Sequence, residues 1–538
     1  MSLAFETPKT PPPAPAFNLL DSPWLPVRYF DGRTTELGLL ALFEQAAKIE
    51  GLAETSPPNL VALYRLLLAI THRALTRHLG HWIDRDRARW YQQGLPAGAV
   101  RDYLTHWRDR FWLFHAEHPF MQVAALARAD ETRDRLKPWT QVALDSATGN
   151  NPVMFDHSLD TAPITATGSS VLRNLVGTLQ FVSGGPVKVL QGHDKAGPLC
   201  NSAAAVPIGA NLSQTLLLAL HPAIKDPTLD MPSWERSALS VADLRMAPSP
   251  ATGCCDRYTR LTRAVLLSAE ASPGAVKWVR FAEGSALEED KNAPDPMVSM
   301  RQGSNGLTKL TFVEGRALWR DLPAFLPDAT GTVAHPAAVL SWAQNLLDAG
   351  NMPDANLSVL VAGQASTPGQ MKILRARSER FAIPNAALCQ AETAQVLRAE
   401  ISRCDQLYRD VRTIATELLA RTMPDPKSKD TRARARAVLD AGPFAATFFA
   451  SAERRLPMLL RLIGQADLSA AHTAWSTALL QAALIAWDAA RGMLGQSAAA
   501  LRAEALTHGK LLAALLPLRP EPDPSASQEP TNAEEATP

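Results

Sequence analysis

"NAALCQAETAQVLRAEISRCDQLYRDVRTIATELLARTM", residues Asn385–Met423, holds apolar side chains at helical spacing and few breakers. It predicts one long helix, which Pro424 and Pro426 end. Downstream the texture stays helical. A second helical region spans about Thr431 to Ile463, with a turn or kink at Gly442-Pro443. "SAAHTAWSTALLQAALIAWDAARGML" from Ser469 and "QSAAALRAEALTHGKLLAALL" from Gln496 supply the third and fourth helices. Four helices with short connections predict an antiparallel four-helix bundle over residues 385–518.

Upstream of this stretch the pattern is mixed. "PWLPVRYFDGRTTELGLLALF" reads as a strand pair turning at Asp31-Gly32, followed by a helix. "NLVALYRLLLAITHRAL" reads as an amphipathic helix. From Thr148 to Pro207 Gly, Ser, Asn and Pro interrupt the pattern, which predicts long loops. "VKWVRFAEG" and "NLSVLVAGQ" read as strands. The fold class is therefore α+β: a loop-rich, mixed α/β domain over residues 17–384, then the bundle. Residues 1–16 are Pro-rich, residues 519–538 acidic and Pro-rich, and both ends are expected to be disordered.

The chain has 538 residues, enough for at least two domains with sizeable cores. Lys and Arg number 54 against 53 Asp and Glu, so any nucleic-acid surface must be local. Five scattered cysteines, with no Cys-x-x-Cys pair, predict a reducing, cytoplasmic setting and no zinc ribbon. No apolar run is long enough to span a bilayer.

"WLFHAEHPFMQ", Trp112–Gln122, groups His115, Glu117 and His118. A zinc-protease helix needs histidines four apart with the glutamate beside the first. Here the spacing is three, no third ligand is evident, and Pro119 disfavours helix at His118. The reading from spacing is a helix end or chain reversal without metal. The alternative is a metal-dependent hydrolase using His115, Glu117 and His118. No phosphate loop and no nucleophile elbow is present. Lys372, Arg375, Arg377 and Arg380 cluster in "MKILRARSER", and Arg432, Arg434 and Arg436 in "TRARARAV". Either group suits phosphate contact or an ordinary solvated helix face.

"FNLLDSPWLPVRYFDG" (residues 17–32), "HAEHPFMQ" (115–122) and "GNNPVMFDHSLD" (149–160) occur in the order seen in one family. The chain resembles the large subunit, the CasA family, of the type I-E CRISPR surveillance complex Cascade, over nearly all of residues 17–518. The resemblance implies a non-catalytic subunit without cofactor. It implies binding to double-stranded DNA carrying a short flanking motif, the PAM, followed by opening of the duplex into an R-loop. The implied partners are the guide CRISPR RNA, the backbone, small and 5′-end-capping subunits, and a helicase-nuclease recruited afterwards.

The implied PAM contacts are Gly184, with Ser183 and Gly185, and a lysine finger at Lys277. Glycine lets the main chain approach a base edge in the narrow minor groove. Ser183 departs from the family's glycine triplet. The implied duplex wedge is Gln370 beside Gly369, with Gln364 competing in the same hairpin. Asn150, Asn151, Phe155, Asp156 and His157 are implied to dock the guide RNA and a neighbouring subunit, in a loop expected to order on docking. The two arginine groups and Lys372 are implied candidates for DNA backbone contact.

Overall fold

A computed structural model describes residues 17–147, 156, 159–185, 189–191, 195–224, 226, 228–270, 274–290, 292–303, 306–328, 334–352, 356–366 and 373–519. The chain divides into two compact units. One comprises residues up to 314 together with 327–385, the other 315–326 together with those from 386 onward.

The first unit is organised around helix Pro57–Leu79, whose residues Val61 to Thr76 are all buried. A helix apolar on every face must be covered on every face. Helices Gly168–Phe181, Ala97–His106 and Cys254–Thr259 and strand Leu357–Ser366 cover it. Two arginines on this helix are also buried, and each is matched to a carboxylate. Arg65 pairs with Asp295. Arg73 pairs with Glu235, whose Oε1 also accepts from Tyr103 Oη at 2.6 Å. Burial raises the Glu235 carboxyl, but hydrogen bonds from Arg73 and Tyr103 outweigh it and hold the group below its ordinary value.

The strand pair read at the N-terminal end is present as Leu25–Tyr29 against Thr34–Leu37, followed by a helix Leu39–Glu44. Gly32 occupies the turn at φ +83°, which a side chain would strain. Ile49–Leu52 completes this sheet on the other edge.

The loop reading of residues 148–207 is corrected in part. A buried helix, Gly168–Phe181, and a strand, Ala203–Ile208, lie within it. The glycines taken as breakers serve packing. A Cβ on Gly177 would lie 1.9 Å from Asn59 Oδ1, so glycine lets this helix approach Pro57–Leu79 closely. Thr167 caps the helix by accepting from the Ser170 N–H.

Two sheets position the candidate site. In one, Leu357–Ser366 lies between Ile373–Ile383 and Ala203–Ile208, antiparallel to both. In the other, Ala275–Glu283 pairs along one edge with Arg263–Ala269 and along the other with short Lys137–Pro138 and Ala166–Thr167.

The second unit is helical. The helix predicted over residues 385–423 is broken: Gln390 is extended at φ −110°, ψ 115°, and the long helix runs Ala391–Ala420. The helical region predicted from about Thr431 to Ile463, with a turn or kink at Gly442-Pro443, comprises three helices: Lys429–Ala441, Phe444–Glu453 and Leu456–Gly464. Leu468–Gly492 and Ala498–Leu515 follow. Tyr408, Phe444, Phe448 and Phe449 form an aromatic core, with ring centroids 4.5–5.8 Å apart around Tyr408. Residues 315–326 join this unit, although sequence reading had placed them in the first domain. Asp405 accepts from Arg316 at 3.0 Å and Arg320 at 2.8 Å, and Arg320 lies 3.6 Å from the Phe449 ring centroid.

Candidate nucleic-acid interface

The stretch "HAEHPFMQ" forms a locked chain reversal. His115 Nδ1 accepts from the backbone N–H groups of Glu117 at 3.1 Å and His118 at 2.9 Å. His118 Nδ1 faces Arg110 Nη1 at 2.9 Å. Burial, then the Arg110 charge, holds the His118 imidazole below its ordinary value, so it meets the guanidinium as an acceptor. Phe120 stacks on Phe111 at 4.9 Å. Gln122 bridges two elements: its Nε2 donates to Leu113 O at 2.7 Å, and its Oε1 accepts from Leu267 N at 2.8 Å. Leu113 N in turn bonds Phe17 O, so the family-like opening and this stretch are neighbours. The Nδ1 atoms of both His115 and His118 are engaged in holding the turn.

Ser183, Gly184 and Gly185 follow Val182, the C-cap of helix Gly168–Phe181, and are half-buried. The Ser183 carbonyl accepts from Arg263 Nη2 at 2.9 Å. Lys277 lies on strand Ala275–Glu283 at a break in both ladders. On one edge Trp278 faces Ser268 and Val276 faces Ala269, so Lys277 is the extra residue of a bulge. On the other edge Trp278 faces Pro138 and Val276 faces Ala166, so Lys277 again has no partner. A bulge re-aims a side chain out of the sheet alternation. The Lys277 ammonium lies 5.9 Å from the Trp278 ring centroid, and it forms no ion pair among the described residues.

Sequence reading passed over two residues beside this site. Arg263 and Glu283 are Cα partners on the same pair of strands, each 1% exposed. Glu283 accepts backbone N–H bonds from Val189, Leu190 and Gln191. A lone glutamate ending a strand carries no sequence signal. Only the fold reveals that it is buried.

Gln370, Gly369 and Lys372 lie outside the described residues. The strands that flank them, Leu357–Ser366 and Ile373–Ile383, form an antiparallel hairpin. The alternative wedge, Gln364, is corrected: its side chain is 0% exposed and its Nε2 bonds Phe181 O at 2.7 Å, so it cannot enter a duplex. Arg375, Arg377 and Arg380 stand on a strand rather than a helix face. Arg375 pairs with Glu314 at 2.9 Å, Arg377 pairs with Glu379, and Arg380 bonds Ser358 Oγ at 2.8 Å. The carboxylates offset the charges of Arg375 and Arg377, whereas Arg380 bonds a neutral hydroxyl.

Arg432, Arg434 and Arg436 are exposed on helix Lys429–Ala441 and form no ion pair among the described residues. Asn150, Asn151, Phe155 and His157 lie outside the described residues. Asp156 accepts from the Ala147 N–H at 2.7 Å, so this member of the docking stretch is tied to its own domain.

One group among the described residues brings metal-ligand types together: His72, His221 and Cys255, all buried. The imidazoles stack 3.7 Å apart at 14°. His72 Nδ1 and His221 Nε2 both face Cys255 Sγ, at 3.8 and 3.7 Å. Burial pushes His72 down to about 3 and raises the Cys255 thiol, which leaves the cluster neutral.

The family description CRISPR-associated protein Cse1 matches residues 18–486. A curated relative, CRISPR-associated protein CasA/Cse1 of Thermus thermophilus, is 32% identical over 500 residues, covering 90% of this chain and 95% of its own. The solved structure of Thermus thermophilus CasA superposes with a TM-score of 0.78 at 29% identity, covering 94% of this chain and all of that one. A chain of a structure described as a CRISPR RNA-guided surveillance complex shares the fold, with a TM-score of 0.71 at 19% identity over 93% of this chain and all of that one.

Proposed function

Because the chain belongs to the CRISPR-associated protein Cse1 (CasA) family, we propose that it is the non-catalytic large subunit of a type I-E RNA-guided surveillance complex. It recognises the PAM through the minor groove with Ser183, Gly184, Gly185 and Lys277. It then opens the duplex with Gln370 and Gly369 to begin the R-loop. The Asn150–His157 stretch docks the guide RNA and the 5′-end-capping subunit. Arg432, Arg434 and Arg436 meet DNA backbone, and a separate helicase-nuclease is recruited once the R-loop forms. Sequence discrimination rests on guide-RNA pairing, so the chain needs only local basic surfaces.

The observation that carries this reading is Lys277. Lys277 stands at a bulge with no Cα partner on either edge of its strand, and its ammonium forms no ion pair among the described residues. Its long stem and compact charge suit minor-groove acceptors, whose pattern is degenerate between A·T and T·A pairs. Recognition through this groove should therefore tolerate several related PAMs. The hairpin Leu357–Ser366/Ile373–Ile383 supports the wedge, since insertion below the PAM needs a stiff projecting element.

The test uses the complex assembled with guide RNA. Lys277→Ala should weaken binding to a PAM-containing duplex by about tenfold and leave non-PAM binding unchanged. Equal affinities of wild type and variant on both duplexes would remove Lys277 from the site.

A further inference from the structure

Strand Ala275–Glu283 carries Lys277 near its start and Glu283 at its end. A carboxylate as buried as Glu283 needs its oxygens filled. Glu283 Oε1 accepts from the N–H groups of Val189 at 3.0 Å and Gln191 at 3.1 Å, and Oε2 from Leu190 at 2.8 Å. Successive N–H groups converging on one anion form the concavity with which main chains bind free anions. Here the anion is a side chain of the protein itself.

Its strand partner makes the complementary set of bonds. Arg263 Nη1 donates to Lys195 O at 2.8 Å and Nη2 to Ser183 O at 2.9 Å. The guanidinium takes carbonyls and the carboxylate takes N–H groups, so two opposite buried charges hold the chain on both sides of Gly184. Neighbouring backbone bonds close the same region, with Gly197 N to Val182 O and Leu199 N to Gln180 O both at 2.8 Å. Gly284 sets the close approach: a Cβ there would lie 2.3 Å from Leu261 O and 2.5 Å from Arg263 N.

We propose that Arg263 and Glu283 are positioning residues for PAM reading, which fix the backbone around Gly184 without touching DNA and so set how sharply flanking motifs are discriminated. The proposal rests on the reading of Gly184 and Lys277 as PAM contacts. A main chain can reject a base only if it is held where the wrong base edge would clash. A backbone free to shift accommodates several.

Glu283→Gln tests it. The change keeps size but removes the charge and turns an NH₂ group toward backbone donors. In the isolated protein, hydrogen exchange at Val189, Leu190 and Gln191 should quicken roughly tenfold. In the assembled complex, the preference for PAM over non-PAM duplex should fall roughly tenfold while guide-RNA assembly is retained. Glu283→Asp keeps the charge and should recover part of both losses. If Glu283→Gln does not fold, Glu283→Asp against wild type is read by the same two measures.

Discrimination that stays at the wild-type level, with or without faster exchange, overturns the proposal. Lys277→Ala and Gly184→Val are measured alongside. If they abolish discrimination and the Glu283 variants do not, the positioning role alone fails. If none of the four alters discrimination, the PAM reading fails and the positioning role with it.

Discussion

His72 shows how a single buried group shapes the molecule's response to acid. Its ring is fully buried, its Nε2 faces Pro222 O at 3.2 Å, and burial lowers it to about 3. A histidine depressed in the folded state favours unfolding once the unfolded chain binds the proton. Stability is therefore intact above the unfolded value near 6.5 and falls as pH drops from there toward 3. The expected slope from this group is about 1.4 kcal/mol per pH unit, read by denaturant melts between pH 7 and 4. His72→Gln should flatten that slope, and an unchanged slope would show that the ring does not titrate in this window. His115 differs from His72 only through its surroundings. Both are histidines beside another histidine in space, yet one is core packing and the other pins a turn. That His115, Glu117 and His118 avoid metal-protease spacing was legible in the sequence. The bonds they make depend on the turn, which no spacing rule supplies.

Among elements, helix Gly168–Phe181 is one that sequence reading passed over. Gly168 and Gly177 lie in it, and glycine lowers helix propensity by about 1 kcal/mol per residue. Tertiary contact overrides that cost: the helix lies against Asn59, and Asn59 Nδ2 bonds Asn174 Oδ1 at 3.1 Å. Gly177→Ala should therefore destabilise the protein by about 1–3 kcal/mol, despite alanine's better propensity. A thermal or denaturant melt checks the sign, and a stabilised variant would mean that the two helices can part without cost. Strands such as Ala275–Glu283 were legible because alternation reports one buried face. The bulge at Lys277 was not, because a register shift is a property of two strands and one sequence shows only one of them. Likewise, the division of residues 429–464 into three helices reflects turns at Gly442-Pro443 and at Arg454-Arg455, where Pro457 sits in the first turn of the next helix.

At the scale of the whole molecule, a net charge of +1 is compatible with nucleic-acid binding only where cations stand unneutralised. The described residues sort the basic clusters by this criterion. Arg375 and Arg377 are paired with carboxylates, whereas Arg380, Arg432, Arg434 and Arg436 form no ion pair among the described residues. Sequence composition could not make that distinction, because it counts charges without their neighbours. No helix among the described residues is long and apolar enough to cross a membrane. The order of the motifs along the chain made the family legible, and the match over residues 18–486 shows it. The excursion of residues 315–326 into the helical unit was hidden, since Asp405 and the arginines it binds are about 85 to 89 positions apart.

The central claim is that this chain supplies PAM recognition to an RNA-guided complex. The most direct measurement compares guide-RNA complexes assembled with and without it on matched duplexes that differ only in the PAM. With the chain present, the account predicts R-loop formation on the PAM duplex at least about tenfold faster than on the non-PAM duplex, and little or no difference without it. Equal R-loop rates on both duplexes in the complete complex would contradict the account.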